Sequence, residues 1–347
     1  MSKPQSPNLL GLGLAAAAAA TVTAAGIAAE RLVQHRRVEA ALETGDDYSC
    51  TPTREFDVVA DDGVLLHVEI DEPDEETKVL GPDGMPVTVV LTHGYTHRLA
   101  CWVFQRRALL AAGYRLVLWD QRAHGKSGRG DPPSYTLDQL GRDLKAVIDT
   151  AAPTGALVLV GHSMGGMTMI ALADEFPSLV RERVIAAAFV ATSPGGLPVA
   201  LGGLRGVVAK LLIHRVGSPV LGRLSQRRGL VDAILEQGRE IEAVFVDRFS
   251  FGSPVPTSVV RLLADMIFAT PLDVMSDFVT AFDGFDKRQA LAAFVDAEAL
   301  VFNGRKDILT PPAHSDLIVA GIPGAEHVVV DDAGHVIMLE HPHLLNE

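Results

Sequence analysis

Short runs of β-branched and aliphatic residues recur along the chain from Glu55 onward, and stretches with helical spacing separate most of them. Runs of this kind that are bounded by turn residues are typical of strands. The pattern predicts eight strands, at residues 55–60, 63–70, 87–92, 114–120, 156–161, 184–192, 299–304 and 325–332. Because intervening helices make crossover connections the simplest topology, we expect an α/β fold with a mostly parallel eight-stranded sheet flanked by helices.

The alternation stops between residues 193 and 290, where the sequence contains no convincing strand. This interval is too apolar and too periodic for a loop, so we interpret it as an inserted helical cap. Two apolar stripes at helical spacing support the interpretation: Leu204, Val207, Val208, Leu211 and Leu212, and Val259, Leu262, Leu263, Met266 and Ile267. The predicted domains are an N-terminal segment and linker (1–45), a core in two parts (46–194 and 291–347) and the cap (195–290).

An uncharged segment at residues 9–29 has about the length needed to cross a bilayer. Its apolarity is diluted by ten alanines, three glycines and two threonines, so it predicts only a marginal membrane-spanning helix. Arg31, Arg36 and Arg37 follow the segment and favour a cytoplasmic catalytic domain. A cleaved signal peptide, a helix lying on the protein and a disordered segment are the alternatives, and without an anchor we expect a cytoplasmic protein.

The formal net charge of -13 over 347 residues argues against nucleic acid as a partner. Six basic residues without an acidic one lie within residues 204–228: Arg205, Lys210, Arg215, Arg223, Arg227 and Arg228. A basic, apolar stretch can lie on an anionic membrane surface, although an ordinary cap helix gives the same pattern. Cys50 and Cys101 match neither a disulfide framework nor a zinc spacing.

The sequence "GHSMG" at residues 161–165 lies between a predicted strand and a predicted helix. A serine raised above a sheet on such a turn needs small residues on both sides, because side chains at Gly161 and Gly165 would collide with neighbouring backbone. Ser163 is therefore a candidate nucleophile, and the backbone N–H of Met164 a candidate oxyanion donor. The alternative is that Ser163 is merely a small residue where a strand gives way to a helix.

A serine nucleophile needs a base, and the base needs an acid that orients it. His335 follows the last predicted strand, at the sheet edge where sites collect, whereas His341 and His343 are better explained as helix caps. Asp307 follows the preceding strand in the same way. Asp331 and Asp332 are rival acids, but they close a strand and are interpreted as turn residues. We expect the set Ser163, Asp307 and His335.

The segment "THGYTH" at residues 92–97 follows the third predicted strand. Gly94 allows the backbone N–H of Tyr95 to face the Ser163 turn as the second oxyanion donor. His93 and His97 are four residues apart, a spacing that suggests a metal site on a helix. On a turn this spacing does not place two rings on one face, and no further ligands complete a set. We therefore expect neither a metal nor another cofactor.

From Glu55 to the C-terminus the chain resembles the α/β-hydrolase fold superfamily. The resemblance lies in "HGYTH", "DQRAHGKSG", "GHSMGG", "GRKDILTP" and "AGH", with Ala123 in place of the usual glycine of a structural loop. It implies a serine hydrolase in which Ser163 is the nucleophile, Asp307 and His335 are its partners, and Tyr95 and Met164 are the oxyanion donors. Relatives usually continue a final helix beyond "EHPHLL", so we expect a short final helix or an incomplete sequence.

Serine at the centre of the turn argues against the epoxide hydrolases and haloalkane dehalogenases of this superfamily. The sites of those enzymes are similar to this one, but their nucleophile is a carboxylate. We therefore expect acyl transfer by an enzyme similar to esterases and lipases, acting on small-molecule or lipid esters with apolar acyl groups. The superfamily also leaves open a carbon–carbon bond hydrolase, a cofactor-free haloperoxidase and an acyltransferase. A hydrolase-fold binding protein without catalytic activity is the alternative from a different class.

Overall fold

The computed structural model describes residues 45, 47–196, 246, 247 and 250–347. The predicted membrane segment (9–29) and the basic stretch (204–228) lie outside the described residues, as does most of the first half of the predicted cap. Within the described part of the chain, no helix combines the length and the apolar character needed to cross a bilayer. Apart from residues 254–258, the described residues from 47 onward belong to one compact unit.

Eight strands form a single sheet, as the hydrophobic pattern predicts. They are β1 (Arg54–Val59), β2 (Leu65–Asp71), β3 (Thr88–Thr92), β4 (Arg115–Trp119), β5 (Leu157–His162), β6 (Val184–Val190), β7 (Glu298–Gly304) and β8 (Glu326–Val330). Their order is β1-β2-β4-β3-β5-β6-β7-β8. The pairs β1/β2 and β2/β4 are antiparallel and the rest are parallel, so the sheet is mixed but mostly parallel.

Helices connect the parallel strands. In the described residues the α-helices are α1 (Val103–Ala111), α2 (Leu137–Ala151), α3 (Met164–Glu175), α4 (Pro177–Arg183), α5 (Thr257–Ala269), α6 (Leu272–Val279), α7 (Pro312–Gly321), α8 (Ile337–Glu340) and α9 (Pro342–Asn346). Helices α5 and α6 lie within the predicted cap, and Val259, Leu263 and Met266 of the predicted stripe are buried. The boundaries of the cap stay a prediction.

The helix α3, which follows the Ser163 turn, is held in place by the core. All five residues of β3 are buried, and one apolar cluster joins the sheet to α2, α3 and α7. A methyl group at Gly141 of α2 would lie 2.8 Å from the backbone nitrogen of Leu172 in α3, so the two helices can approach this closely only with glycine there. This close packing limits where the first residue of α3 can lie.

Candidate active site

Ser163 occupies a sharp turn between β5 and α3. Its φ of 51° and ψ of -117° lie in a region that residues with a side chain rarely adopt. Such a conformation costs of the order of 1–3 kcal/mol and persists only where the surroundings enforce it. The backbone nitrogen of Ser163 donates to the carbonyl of Val190 at 3.0 Å, which ties the turn to β6. If Ser163 were only a small residue between a strand and a helix, it would not need this conformation.

The glycines at positions 94, 161 and 165 have no room for a side chain. A Cβ at Gly161 would lie 2.6 Å from the backbone nitrogen of Gly166, and one at Gly165 would lie 2.2 Å from the carbonyl oxygen of Thr92. A Cβ at Gly94 would lie 2.7 Å from His162 Nδ1 and 3.2 Å from Ser163 Cβ. Side chains at these positions would push the serine, the oxyanion turn and the helix apart.

Three of the predicted residues form a hydrogen-bonded chain. His335 Nε2 lies 3.0 Å from Ser163 Oγ, and His335 Nδ1 lies 2.8 Å from Asp307 Oδ2. Both distances are those of real hydrogen bonds. Asp307 and His335 are buried, so the acid–base pair is shielded from bulk water. This arrangement can take a proton from Ser163 and hold the imidazole ring in one orientation.

Asp307 is fixed by its own backbone neighbours. Its Oδ1 accepts hydrogen bonds from the backbone nitrogens of Leu309 at 2.8 Å and Thr310 at 2.9 Å. Burial favours the neutral carboxyl, but the charge and hydrogen bond of His335 and the bonds from Thr310 outweigh it and lower the pKa of Asp307. Asp307 is therefore a carboxylate at neutral pH. The Thr310 hydroxyl, which sequence reasoning missed, lies 2.8 Å from both Asp307 Oδ2 and the Ala191 carbonyl.

The rival acids are engaged elsewhere. Asp331 Oδ1 lies 2.6 Å from Arg305 Nε, and Asp332 Oδ1 lies 3.4 Å from His341 Nε2.

His341 precedes α9, but its side chain makes no capping hydrogen bond.

His162 is a second residue that sequence reasoning missed, although it is the neighbour of Ser163 in the motif. Its Nε2 lies 2.9 Å from the backbone carbonyl of His335, and a ring nitrogen bonded to a carbonyl must donate. Its ring stacks on that of His97, with centroids 5.2 Å apart and planes 1° apart. Burial, helped by the nearby charge of His335, lowers the pKa of His162 to about 3, so the ring stays neutral. It ties the backbone of the base to the end of β5.

The predicted oxyanion residues flank this chain of hydrogen bonds. Met164 is the first residue of α3, directly after Ser163. Residues 94–97 form a turn, here called the oxyanion turn, closed by a hydrogen bond from the His97 nitrogen to the Gly94 carbonyl at 3.2 Å. That the N–H groups of Tyr95 and Met164 stabilise an oxyanion stays a prediction.

The two histidines of "THGYTH" differ in their surroundings. His93 Nδ1 lies 2.7 Å from the Gly94 carbonyl, and His93 Nε2 accepts from the Gln121 nitrogen at 2.9 Å. Both ring nitrogens of His93 are thus already used. The ring of His97 stacks on that of His162, and within the described residues its Nδ1 has no hydrogen-bond partner.

In the described ranges, one group of side chains has the spacing for a cation: Glu55, His67 and Glu69. Lys126 Nζ lies 2.9 Å from Glu55 Oε2, and Arg106 Nη1 lies 2.6 Å from Glu69 Oε2. These two cations already neutralise the carboxylates, so we assign no metal to the group.

The loop at residues 120–128 supports the site without entering it. Asp120 accepts hydrogen bonds from the backbone nitrogens of Leu99 and Lys126, both at 2.8 Å. Ala123 has a φ of 62°, which explains why glycine is the usual residue at this position. The loop is structural, as the resemblance implies.

A family model described as the alpha/beta hydrolase fold matches residues 87–342. The chain belongs to the α/β-hydrolase fold family. A monoacylglycerol lipase from Mycolicibacterium smegmatis is 25% identical to this α/β-hydrolase over 291 residues, covering 80% of this chain and 91% of the relative. A probable esterase from Oryza sativa subsp. indica is 36% identical over 102 residues, covering 29% of this chain and 37% of the relative. The chain thus matches little more than a third of that esterase.

Solved structures share the α/β-hydrolase fold. A thermophilic esterase from Thermogutta terrifontis superposes with a TM-score of 0.62 at 21% identity, covering 85% of this chain and 96% of that chain. An esterase from Rhodococcus sp. ECU1013 superposes with a TM-score of 0.64 at 19% identity, covering 84% and 95%. At these identities the likeness shows the fold, whereas the names of the relatives support a hydrolase.

Proposed function

We propose that the protein is a serine hydrolase that cleaves carboxylic esters through an acyl-enzyme on Ser163. The observation that supports this most is the hydrogen-bonded chain from Ser163 Oγ through His335 to Asp307, with spacings of 3.0 Å and 2.8 Å. A nucleophile in contact with a base that is itself oriented by a buried carboxylate is the arrangement that acyl transfer requires. Relatives named as esterases and lipases support the same class.

In the proposed mechanism His335 takes the proton of Ser163 as Oγ attacks the ester carbonyl carbon. The negative charge on the former carbonyl oxygen is stabilised by the backbone N–H groups of Tyr95 and Met164. The imidazolium then gives its proton to the departing alcohol, leaving the acyl group on Ser163. Water attacks the acyl-enzyme, His335 takes the water proton and returns it to Ser163, and the acid leaves. Asp307 stabilises the imidazolium throughout.

Apolar acyl groups are the proposed substrates. Met164, Met167 and Tyr95 belong to an apolar cluster completed by Phe278 and Phe282 from the region of the predicted cap. A saturated acyl chain bound near Ser163 would contact side chains of this kind without leaving polar groups unpaired. Activity on a series of model esters tests this. Higher kcat/KM for butyrate or longer chains than for acetate supports the proposal, and a preference for charged acyl groups contradicts it.

Labelling with a fluorophosphonate probe tests the nucleophile. Wild type should react and hydrolyse esters, and Ser163→Ala should do neither. Ser193→Ala is the matched control, because Ser193 Oγ also lies against a histidine, 2.7 Å from His314 Nδ1, but is fully buried. Ser193→Ala should label like wild type. Full labelling of Ser163→Ala contradicts the assignment, and wild type that binds esters without turnover supports a binding protein instead.

Membrane association is a separate proposal that rests on the sequence alone, on residues 9–29 and 204–228. Full-length protein should float with anionic liposomes, and a chain lacking residues 1–45 should float less or only at low salt. If neither chain associates with liposomes of any composition, the proposal is wrong.

A further inference from the structure

The oxyanion turn is built from an unfavourable backbone conformation. Thr96 stands at the third position of the turn with a φ of 61°, where glycine or asparagine is favoured. A β-branched residue is the least suited to this conformation. The Thr96 hydroxyl donates to the Tyr95 carbonyl at 2.6 Å, but this bond is internal to the turn and fixes nothing relative to the rest of the protein.

One hydrogen bond and one weaker, shared contact connect the oxyanion turn to the region of the predicted cap. Tyr95 Oη donates to the carbonyl of Met275 in α6 at 2.5 Å. Thr270 Oγ1, between α5 and α6, lies 3.3 Å from the carbonyl oxygen of Thr96 and also 3.3 Å from that of Met266, so its one proton is shared between these two acceptors. Both residues at the corner of the turn are therefore held from the same side, by a segment about 175 residues further along the chain.

The Tyr95 ring is also enclosed. It is 8% exposed and contacts Phe282 edge-on, with centroids 5.6 Å apart, and Phe278, with centroids 6.5 Å apart. Burial raises the pKa of the Tyr95 phenol above its ordinary value, so the hydroxyl is protonated and can donate a hydrogen bond at neutral pH. The ring and its hydroxyl thus form a fixed link between α6 and the backbone of residue 95.

We infer that the Tyr95 side chain is a positioning residue for ester hydrolysis: its bond to the Met275 carbonyl, assisted by Thr270, aligns the oxyanion turn from the inserted helices. This inference rests on the proposed function, in which the Tyr95 N–H binds the oxyanion. A strained turn keeps its geometry only while its surroundings enforce it, and small displacements of a charge-stabilising group are costly in rate. The insertion would then act on kcat as well as on substrate binding.

Tyr95→Phe tests the link, because it removes the hydroxyl and keeps the ring. Loss of an entire oxyanion donor lowers kcat by about 10²–10³, so a donor that is present but poorly aligned should lower kcat roughly tenfold, with KM within about twofold. Binding of an alkyl trifluoromethyl ketone, whose adduct with Ser163 bears the same oxyanion, should weaken by the factor by which kcat/KM falls. If the Tyr95 hydroxyl had only a structural role, Tyr95→Phe would lower the thermal midpoint, and the loss of ketone affinity would not match the loss of kcat/KM.

Tyr135→Phe is the matched control. Tyr135 is buried and stacks on Phe278 with centroids 4.7 Å apart, and in the described residues its hydroxyl makes no hydrogen bond to α6. This variant should keep kcat within about twofold. Thr270→Val should lower kcat less than Tyr95→Phe does, and Thr270→Ser, which keeps the hydroxyl, should restore it. The Thr270 pair also serves as the test if Tyr95→Phe does not fold.

The outcomes separate this inference from the proposed function. Ester turnover that survives Ser163→Ala contradicts the proposed function, and this inference falls with it. A second outcome is that turnover depends on Ser163, while Tyr95→Phe and Thr270→Val both keep the wild-type kcat and ketone affinity. This outcome contradicts only the positioning role of Tyr95.

Discussion

His335 Nδ1 lies 2.8 Å from Asp307 Oδ2, although 28 residues separate them in the chain. Asp307 follows the end of β7 and His335 follows the end of β8, and these strands are parallel neighbours in the sheet. Carboxyl ends of adjacent parallel strands meet at one edge, so the topology alone brings the two residues together.

We expect Asp307→Asn to fold and to lose about 10³–10⁴ in kcat. The amide oxygen can keep the bonds from the nitrogens of Leu309 and Thr310, which now reach Asp307 Oδ1. The NH₂ group then points at His335 Nδ1 and favours the tautomer that cannot accept the proton of Ser163. Steady-state kinetics on a model ester measure the loss, and Asp332→Asn is the control. If Asp307→Asn kept the wild-type rate, the acid would lie elsewhere.

The strands and the hydrogen-bonded chain could be predicted from the sequence because both follow from local patterns. Buried strands are continuous apolar runs, and the site residues come directly after them, so strand bounds wrong by one or two residues still place Ser163, Asp307 and His335 at one edge. Glycine positions could be predicted because a raised serine turn excludes side chains.

The roles of His162 and of the Tyr95 side chain could not be predicted. His162 binds the carbonyl of a residue 173 positions away, and Tyr95 Oη binds one 180 positions away. No spacing or periodicity in the sequence encodes such contacts, because they depend on how the inserted helices and the last loop pack. The predicted segment 9–29 lies outside the described residues and stays a prediction.

Acid should destabilise the protein because neutral histidines are buried in it. Burial lowers the pKa of His93 to about 4 and that of His124 and His162 to about 3, against 6.5 for an exposed histidine. Below pH 6.5 these histidines become protonated in the unfolded chain but stay neutral in the folded chain. The free energy of unfolding therefore falls as pH falls towards 4. The slope is roughly 1.4 kcal/mol per pH unit for each histidine.

Urea denaturation at pH 8, 7, 6 and 5 measures this effect. The free energy of unfolding should change little between pH 8 and 7, where the unfolded histidines are mostly neutral, and fall steeply below 6.5. A His124→Gln variant that folds should show a slope smaller by about one proton, whereas His343→Gln, at an exposed site, should keep the wild-type slope. Equal stability at pH 7 and pH 5 would refute the prediction.

Gly165→Ala should destabilise the protein by at least about 2–3 kcal/mol and lower kcat at least tenfold. The added Cβ would lie 2.2 Å from the Thr92 carbonyl oxygen and 2.7 Å from the His93 carbonyl oxygen, and these are backbone atoms at the end of β3 that cannot swing aside as a side chain can. Helix α3 must therefore move and take Ser163 with it. Gly128→Ala is the control, since its nearest contact would be 3.3 Å from the Leu65 carbonyl oxygen, and it should cost less than about 1 kcal/mol. Thermal unfolding and ester kinetics compare the two.

Arg122→Met should cost about 3–5 kcal/mol in the free energy of unfolding, because it leaves a buried carboxylate without its cation. Arg122 Nε and Nη2 bind the two oxygens of Asp143 at 2.6 Å and 2.7 Å, and Nη1 binds Asp62 at 2.7 Å. The side chains of Arg122 and Asp143 are fully buried.

Replacing both partners tests whether the loss comes from the unpaired charge. Arg122→Met combined with Asp143→Leu should be more stable than Arg122→Met alone, since no buried carboxylate then remains without a partner. Lys145→Met removes one partner of an exposed pair, in which Nζ lies 2.6 Å from Asp149, and should cost no more than about 0.5 kcal/mol. Urea denaturation of the four proteins at pH 7.5 gives the comparison. A loss below about 1 kcal/mol for Arg122→Met would show that the pair contributes no more than an exposed one.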